Sequence, residues 1–162
     1  MTAMSTTPPP SHANNEERAW ELARVAHADQ VDKDGAPYID HVRRVVEKVQ
    51  GLAPEGMMAD AVVVAILHDV VEDSAVTVSA LSAAGFGDAV VRAVDSVSRR
   101  DGEPYMDLIE RAAADPVGRW VKLADNLDNS DEDRLGQLDD ATAQRLRDKY
   151  AAARDRLTLD RT

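Results

Sequence analysis

The sequence predicts an all-α fold, a bundle of about seven or eight helices, and three observations carry that expectation. Apolar residues recur at three- and four-residue spacing in one segment after another. No run alternates apolar with polar residues as a half-buried strand would. Aromatic residues make up only 4% of the chain against 44% hydrophobic residues overall, so the core must be built from Ala, Val and Leu, a composition that suits packed helices.

In chain order, Pro8-Pro9-Pro10 closes a polar N-terminal stretch, and Asn14 or Asn15 followed by Glu16 and Glu17 reads as a helix start. That helix is expected to run to about Asp29 with Trp20, Ala23, Ala26 and His27 along its buried side. Gln30 to Ala36 carries turn chemistry, after which Pro37 opens a second helix that Gly51 ends. A third helix is expected from about Pro54 to Asp73. It holds the most apolar stretch, AVVVAIL, and a helix apolar over so much of its circumference belongs at the centre of its domain. Thr77 can cap a short helix stopping at Gly85, and Asp88 to Arg99 reads as another. Tyr105 to Ala114 follows the RRDGEP break, Asp115-Pro116 starts the helix carrying VKLADNLDN, and a last helix runs from about Asp140 to Leu157. We expect a disordered tail over residues 1–15 and a single domain over 16–162.

Composition bounds the function. Cysteine is absent, so thiolate metal sites and disulfides are excluded. The formal net charge of −11, from 19 basic and 30 acidic side chains, argues against a nucleic-acid groove, which needs clustered Lys and Arg. No apolar run approaches the roughly 20 residues a bilayer requires. Met1 to Asn15 lacks the basic-then-apolar layout of a secretory signal, so a cytoplasmic location is expected.

The chemistry is concentrated in His68-Asp69-Val70-Val71-Glu72-Asp73. On a continuous helix Glu72 falls about 40° from His68, and Asp73 about 40° from Asp69. Four ionisable groups then share one sector at the end of an apolar helix. Burying carboxylates together is costly unless a cation neutralises them, and imidazole beside carboxylate is a hard-to-borderline metal site. His41 follows the first loop, and Asp125 shares a helix face with Lys122 and Asn129.

The runs AHADQVDKDGAPYIDH, AILHDVVEDS and VKLADNLDN, in this order, resemble the HD superfamily of metal phosphohydrolases. Within it the chain is most similar to the guanosine tetra- and pentaphosphate (ppGpp) hydrolases of the RelA/SpoT type. The resemblance spans about Glu17 to Tyr150. It implies an HD-domain helical bundle in which His41, His68, Asp69 and Asp125 hold one divalent ion, most often Mn2+. It implies that Glu72 and Asp73 position and deprotonate the attacking water, and that Lys33, Lys122, Asn129 and Tyr150 bind a small nucleotide substrate. The implied reaction removes the 3′-diphosphate and releases pyrophosphate. Asp32 stands where those enzymes carry a base-stacking arginine, which predicts a weaker hold on the base. The alternatives are an HD phosphohydrolase for another nucleotide or phosphate ester, and a non-catalytic nucleotide-sensing HD domain. His27 reads as a packing histidine. The charge run Asp128 to Arg134 reads as a solvated loop, and Arg99-Arg100 is too short to form a nucleic-acid patch.

Overall fold

The most apolar segment of the chain lies at the centre of the structure, a computed structural model that describes residues 12–159. Helices α1 (His12–Ala26), α2 (Tyr38–Leu52) and α3 (Met58–Leu67) form one layer. In it α3 packs against α1 and α2 on one side, and against α6 (Asp88–Val97) and α8 (Gly118–Asn129) on the other. Ala61 to Leu67 are all buried. Each fully buried Val, Leu or Ile side chain contributes roughly 1.5–3 kcal/mol, so α3 is the main hydrophobic anchor of the bundle. Between α3 and α6 come α4 (Val70–Asp73) and α5 (Val78–Ala83). After α6, α7 (Tyr105–Ala114) packs on α6 and α8. The chain closes with α9 (Glu132–Leu135) and α10 (Asp140–Thr158), which lies across α7 and α8. Eight of the helices have six residues or more, and α4 and α9 are four-residue segments. Among the described residues, extended pairing is limited to an isolated bridge between Val31 and Pro37. No helix among them is long and apolar enough to cross a membrane.

Several boundaries differ from those expected, for local reasons. The first helix begins at His12, before Asn14, and residues 1–11 of the expected tail lie outside the described residues. It ends at Ala26 rather than near Asp29, where the chain turns so that His27 Nδ1 meets Gln30 Oε1 at 2.7 Å. Gly51 does not stop α2. Pro54 does, by forcing Ala53 into an extended conformation (φ −73°, ψ 142°). The start of α8 relies on two residues: Asp115 Oδ1 accepts from the backbone N–H groups of Val117 and Gly118. Gly118 itself allows close approach to α6, since a Cβ there would fall 2.1 Å from Ser96 Oγ.

The expected third helix, Pro54 to Asp73, is interrupted. A 3-10 turn occupies Glu55–Met57, and the helix breaks again at His68 and Asp69 between α3 and α4. His68 Nδ1 lies 2.6 Å from the carbonyl oxygen of Ala65, the group a continuing helix would offer to the N–H of Asp69. Asp69 accordingly sits at φ −106°, ψ −1°. The side chain that defines the site thus also breaks the helix that carries it.

Candidate metal centre

His41 from α2, His68 and Asp69 from the α3–α4 break, and Asp125 from α8 converge so that one ligand atom from each lies within 4.8 Å of the others. His41 Nε2 is 3.1 Å from Asp125 Oδ1 and 3.8 Å from Asp69 Oδ2. His68 Nε2 is 2.8 Å from Asp69 Oδ2 and 3.6 Å from Asp125 Oδ1. Both rings turn their Nδ1 atoms outward. That of His68 faces the Ala65 carbonyl, and that of His41 lies 2.6 Å from Asp128 Oδ2. Each Nδ1–H has an acceptor, so in the neutral rings both Nε2 lone pairs point into the centre. His68 Nε2 is a buried atom without a hydrogen-bond partner.

Two lone pairs facing two carboxylates require a positive charge between them. Burial would lower the pKa of His68, but the Asp69 charge and the contact with Asp125 outweigh it and raise the ring well above its ordinary value. Burial likewise opposes ionisation of Asp69, yet His68 outweighs it and holds the carboxyl at about 2. The cluster is therefore built to hold a cation, and its donor set suits a divalent ion with imidazole and carboxylate ligands. Tyr38 donates its hydroxyl hydrogen to Asp69 Oδ2, and Lys122 Nζ (2.9 Å) and Asn129 Nδ2 (3.0 Å) donate to Asp125.

Two cavities flank this centre and share Tyr38, Asn129 and Tyr150. The smaller, about 220 Å³, adds Asp69, Asp125 and Glu72 together with the cations Arg99, Lys122 and Lys149. The larger, about 360 Å³, adds His41, Lys33, Arg134, Asp32 and Asp34 to an apolar wall that includes Leu135 and Leu146. All four residues expected to bind substrate therefore line one or both cavities.

A family profile for the HD domain matches residues 19–116. The chain belongs to the HD domain family. It is 36% identical over 128 residues to the Aquifex aeolicus guanosine-3′,5′-bis(diphosphate) 3′-pyrophosphohydrolase, covering 74% of this chain and 18% of that protein. It is 39% identical over 122 residues to a probable GTP pyrophosphokinase of Mycobacterium leprae, covering 70% of this chain and 15% of that protein. The chain thus spans less than a fifth of the length of these curated relatives. A solved structure of a metazoan ortholog of SpoT that hydrolyzes ppGpp shares the fold. It matches with a TM-score of 0.70 and 23% identity, over 98% of this chain and 89% of that one.

HD domains bind divalent metal ions, and in this one the His/Asp cluster forms a site able to hold one. The expected carboxylate pair is split. Glu72 lines the smaller cavity and accepts from the backbone N–H of Arg99, whereas Asp73 Oδ2 accepts from Gln30 Nε2 at 3.1 Å. Neighbours on α4 lie about 100° apart, so the two carboxylates reach different partners, while the N–H of Asp73 donates to the Asp69 carbonyl oxygen at 3.0 Å. Burial raises the carboxyl pKa of both. His27 is buried, and its ring lies 4.9 Å from that of Tyr38.

One expectation fails. Asp128 does not belong to a solvated loop: it is 3% exposed and receives His41, Arg44, Lys48 and Arg134. Asp32 lines the larger cavity with its carboxylate held within the loop. Its Oδ1 accepts from the N–H groups of Asp34 (2.9 Å) and Ala36 (3.0 Å), and its Oδ2 lies 3.7 Å from Arg134. The sequence reading passed over Asp128, which meets His41, and over Arg134, Arg99 and Lys149, which line the cavities. For Asp128 a signal existed: Arg44 and Lys48 follow His41 at i+3 and i+7, placing two cations on the ligand's own helix face.

Proposed function

We propose that this chain is a metal-dependent phosphohydrolase that removes the 3′-diphosphate of guanosine tetra- or pentaphosphate and releases pyrophosphate. The observation that carries the reading is the position of the cluster between a cavity walled by Arg99, Lys122 and Lys149 and a larger one with an apolar wall. In a chain of net charge −11, three cations around 220 Å³ mark the place for a polyanion. Lys149 is held below its ordinary pKa by partial burial and then by Arg99 and Lys122, a repulsion that a bound phosphate relieves. The names of the similar proteins point to the same chemistry.

His41, His68, Asp69 and Asp125 would hold the ion, for which Mn2+ is our assignment. Bound there, it would supply an acidified water and polarise a phosphoryl oxygen. Glu72 is placed to take the proton as water attacks the phosphorus attached to the ribose 3′ oxygen. The bond from that phosphorus to the 3′ oxygen breaks, the oxygen gains a proton, and pyrophosphate leaves. Lys122 and Arg99 offset the charge that builds on the phosphoryl oxygens. Asp73, through Gln30, keeps the α1–α2 loop in register beside the centre. We further propose that the chain acts in the cytoplasm on a small nucleotide, without a nucleic-acid or membrane partner.

The test is a Mn2+-dependent hydrolysis panel comparing guanosine tetraphosphate with other 3′- and 5′-phosphorylated nucleotides. We expect pyrophosphate and GDP from the tetraphosphate. Turnover of another nucleotide in preference would reassign the substrate, and no turnover of any with metal bound would make the chain a nucleotide sensor.

A further inference from the structure

We propose that Tyr150 is the catalytic acid of this site, donating its hydroxyl proton to the ribose 3′ oxygen as the bond from that oxygen to phosphorus breaks. The inference rests on the phosphohydrolase reading above and names the donor of the proton that the leaving oxygen must gain.

Displacement at phosphorus runs in line, with the attacking and departing oxygens on opposite sides of the phosphorus. Glu72 takes a proton at the attacking end, so a separate group must give one at the leaving end. The departing oxygen is an alkoxide. It is far more basic than a phenolate, whose parent hydroxyl has a pKa of about 10, so proton transfer from a tyrosine to it runs downhill.

The two cavities fix where that donor must stand. Arg99, Lys122 and Lys149 wall the smaller cavity alone and suit the diphosphate, which leaves the larger space for the nucleoside. The bond to be broken then falls where the cavities join, and three side chains line both: Tyr38, Asn129 and Tyr150. Tyr38 donates its hydroxyl hydrogen to Asp69, and Asn129 Nδ2 donates to Asp125 at 3.0 Å, so both are engaged with the metal cluster. Tyr150 differs. It stands on α10 with its ring edge-on to that of Tyr105, the centroids 6.4 Å apart, and among the described residues its hydroxyl has no hydrogen-bond partner. Burial and then the Asp125 carboxylate hold that hydroxyl above its ordinary pKa, which keeps the proton in place at neutral pH. Lys122 and Arg134 act in the other direction, and they steady the phenolate once the proton has gone.

As the water oxygen bonds to phosphorus, Glu72 takes one of its protons. The electron pair of the breaking phosphorus–oxygen bond passes to the 3′ oxygen, Tyr150 protonates it, and pyrophosphate and GDP leave. Glu72 then releases its proton to solvent, and solvent returns one to the phenolate.

The test compares two substrates on the full metal-loaded chain: guanosine tetraphosphate, and its analogue with sulfur in place of the bridging 3′ oxygen. Sulfur leaves as a thiolate, whose parent pKa of about 8.5 frees it from the need for a proton donor. Tyr150→Phe keeps the ring beside Tyr105 and removes the hydroxyl. It should lose on the order of 10²- to 10⁴-fold in kcat on the oxygen ester and less than about ten-fold on the sulfur one. Retained turnover of the sulfur ester also shows that the variant is folded. Tyr105→Phe removes a hydroxyl that lines the smaller cavity alone and should lose little on either ester. Equal losses on the two esters in Tyr150→Phe, or near-normal turnover of the oxygen ester, overturn the proposal and leave the phosphohydrolase reading standing. An oxygen-selective loss in Tyr105→Phe in place of Tyr150→Phe also overturns it. A natural chain that hydrolyses neither ester overturns both.

Discussion

His41 Nδ1 lies 2.6 Å from Asp128 Oδ2, which makes Asp128 the partner that orients the His41 ring from outside the cluster. A carboxylate in this position fixes the tautomer, aims Nε2 inward and raises the basicity of the ring. Asp128 is itself held by Arg44, Lys48 and Arg134, and although burial opposes its ionisation, His41 and Arg44 hold its carboxyl below the usual range. Asp128→Asn should therefore lower divalent-ion affinity about 10- to 100-fold with the helical content unchanged. Competition titration against a metal indicator reads the affinity. An unchanged value would show that His41 needs no such support.

The cluster itself makes stability depend on metal. An ion present at 100 times its dissociation constant adds about 2.7 kcal/mol to a chain that binds it only when folded. For a domain of this size that is roughly 5–10 °C in melting temperature. His68→Ala should abolish the increase, because it removes an inward Nε2 from the cluster. Equal shifts in both proteins on addition of Mn2+ would place the ion elsewhere.

The four clustered residues were legible because each stands in a short run whose residue types have few other uses. A His-Asp pair ending an apolar helix, a His after a proline-led turn and an Asp amid Leu and Ala all read inward. What could not be read was the path of the backbone between them. A helical pattern over Pro54 to Asp73 says nothing of a ring that takes the Ala65 carbonyl, nor of the break at His68 and Asp69 that goes with it. Charge runs mislead for a related reason. Asp128 to Arg134 looks like a solvated loop until α2 brings Arg44 and Lys48 against it, and burial of a charge is a property of the partner.

Glu72 and Asp73 should separate by mutation as they do in space. Glu72→Gln removes the carboxylate in the cavity and should cost on the order of 10² to 10⁴ in kcat, with metal stoichiometry retained. Asp73→Asn keeps an oxygen that can accept from Gln30 and should cost less. Parallel steady-state kinetics on the two variants checks this. Equal losses would return both to the proton transfer.

Arg99 reaches the cavity on a loop whose other anchor is Glu103, and this anchor gives the fold an acid sensitivity. The Arg111 guanidinium, 2.7 Å from Glu103 Oε2, holds the carboxyl at about 2 rather than its ordinary 4.5. Because the folded value is the lower one, the pair stabilises the protein fully above about 4.5, and that contribution disappears as pH falls toward 2. Glu103→Gln should be less stable than the natural chain at pH 6, with the difference shrinking across that window. Urea unfolding at a series of pH values reads it, and a constant difference would assign the effect to packing.

Asp32 supplies the last prediction, and here the loop geometry bears on what the resemblance suggests. An arginine at position 32 looks like a restoration of base stacking. In this chain, however, Asp32 Oδ1 is the acceptor for two backbone N–H groups in a loop that must turn through Gly35 at φ +80°. Removing the acceptor leaves those donors without their partner, which costs about 1–3 kcal/mol where solvent cannot replace it. It also takes one of three carboxylates from Arg134 and adds a like charge beside it. Asp32→Arg should therefore melt several degrees lower and bind nucleotide more weakly, whereas Asp32→Asn, which keeps an oxygen in the same place, should lose much less. Thermal unfolding with and without GMP measures both effects. If Asp32→Arg is as stable as the natural chain and binds GMP more tightly, the loop accepts a base-stacking arginine and the two backbone N–H groups do not need the Asp32 carboxylate.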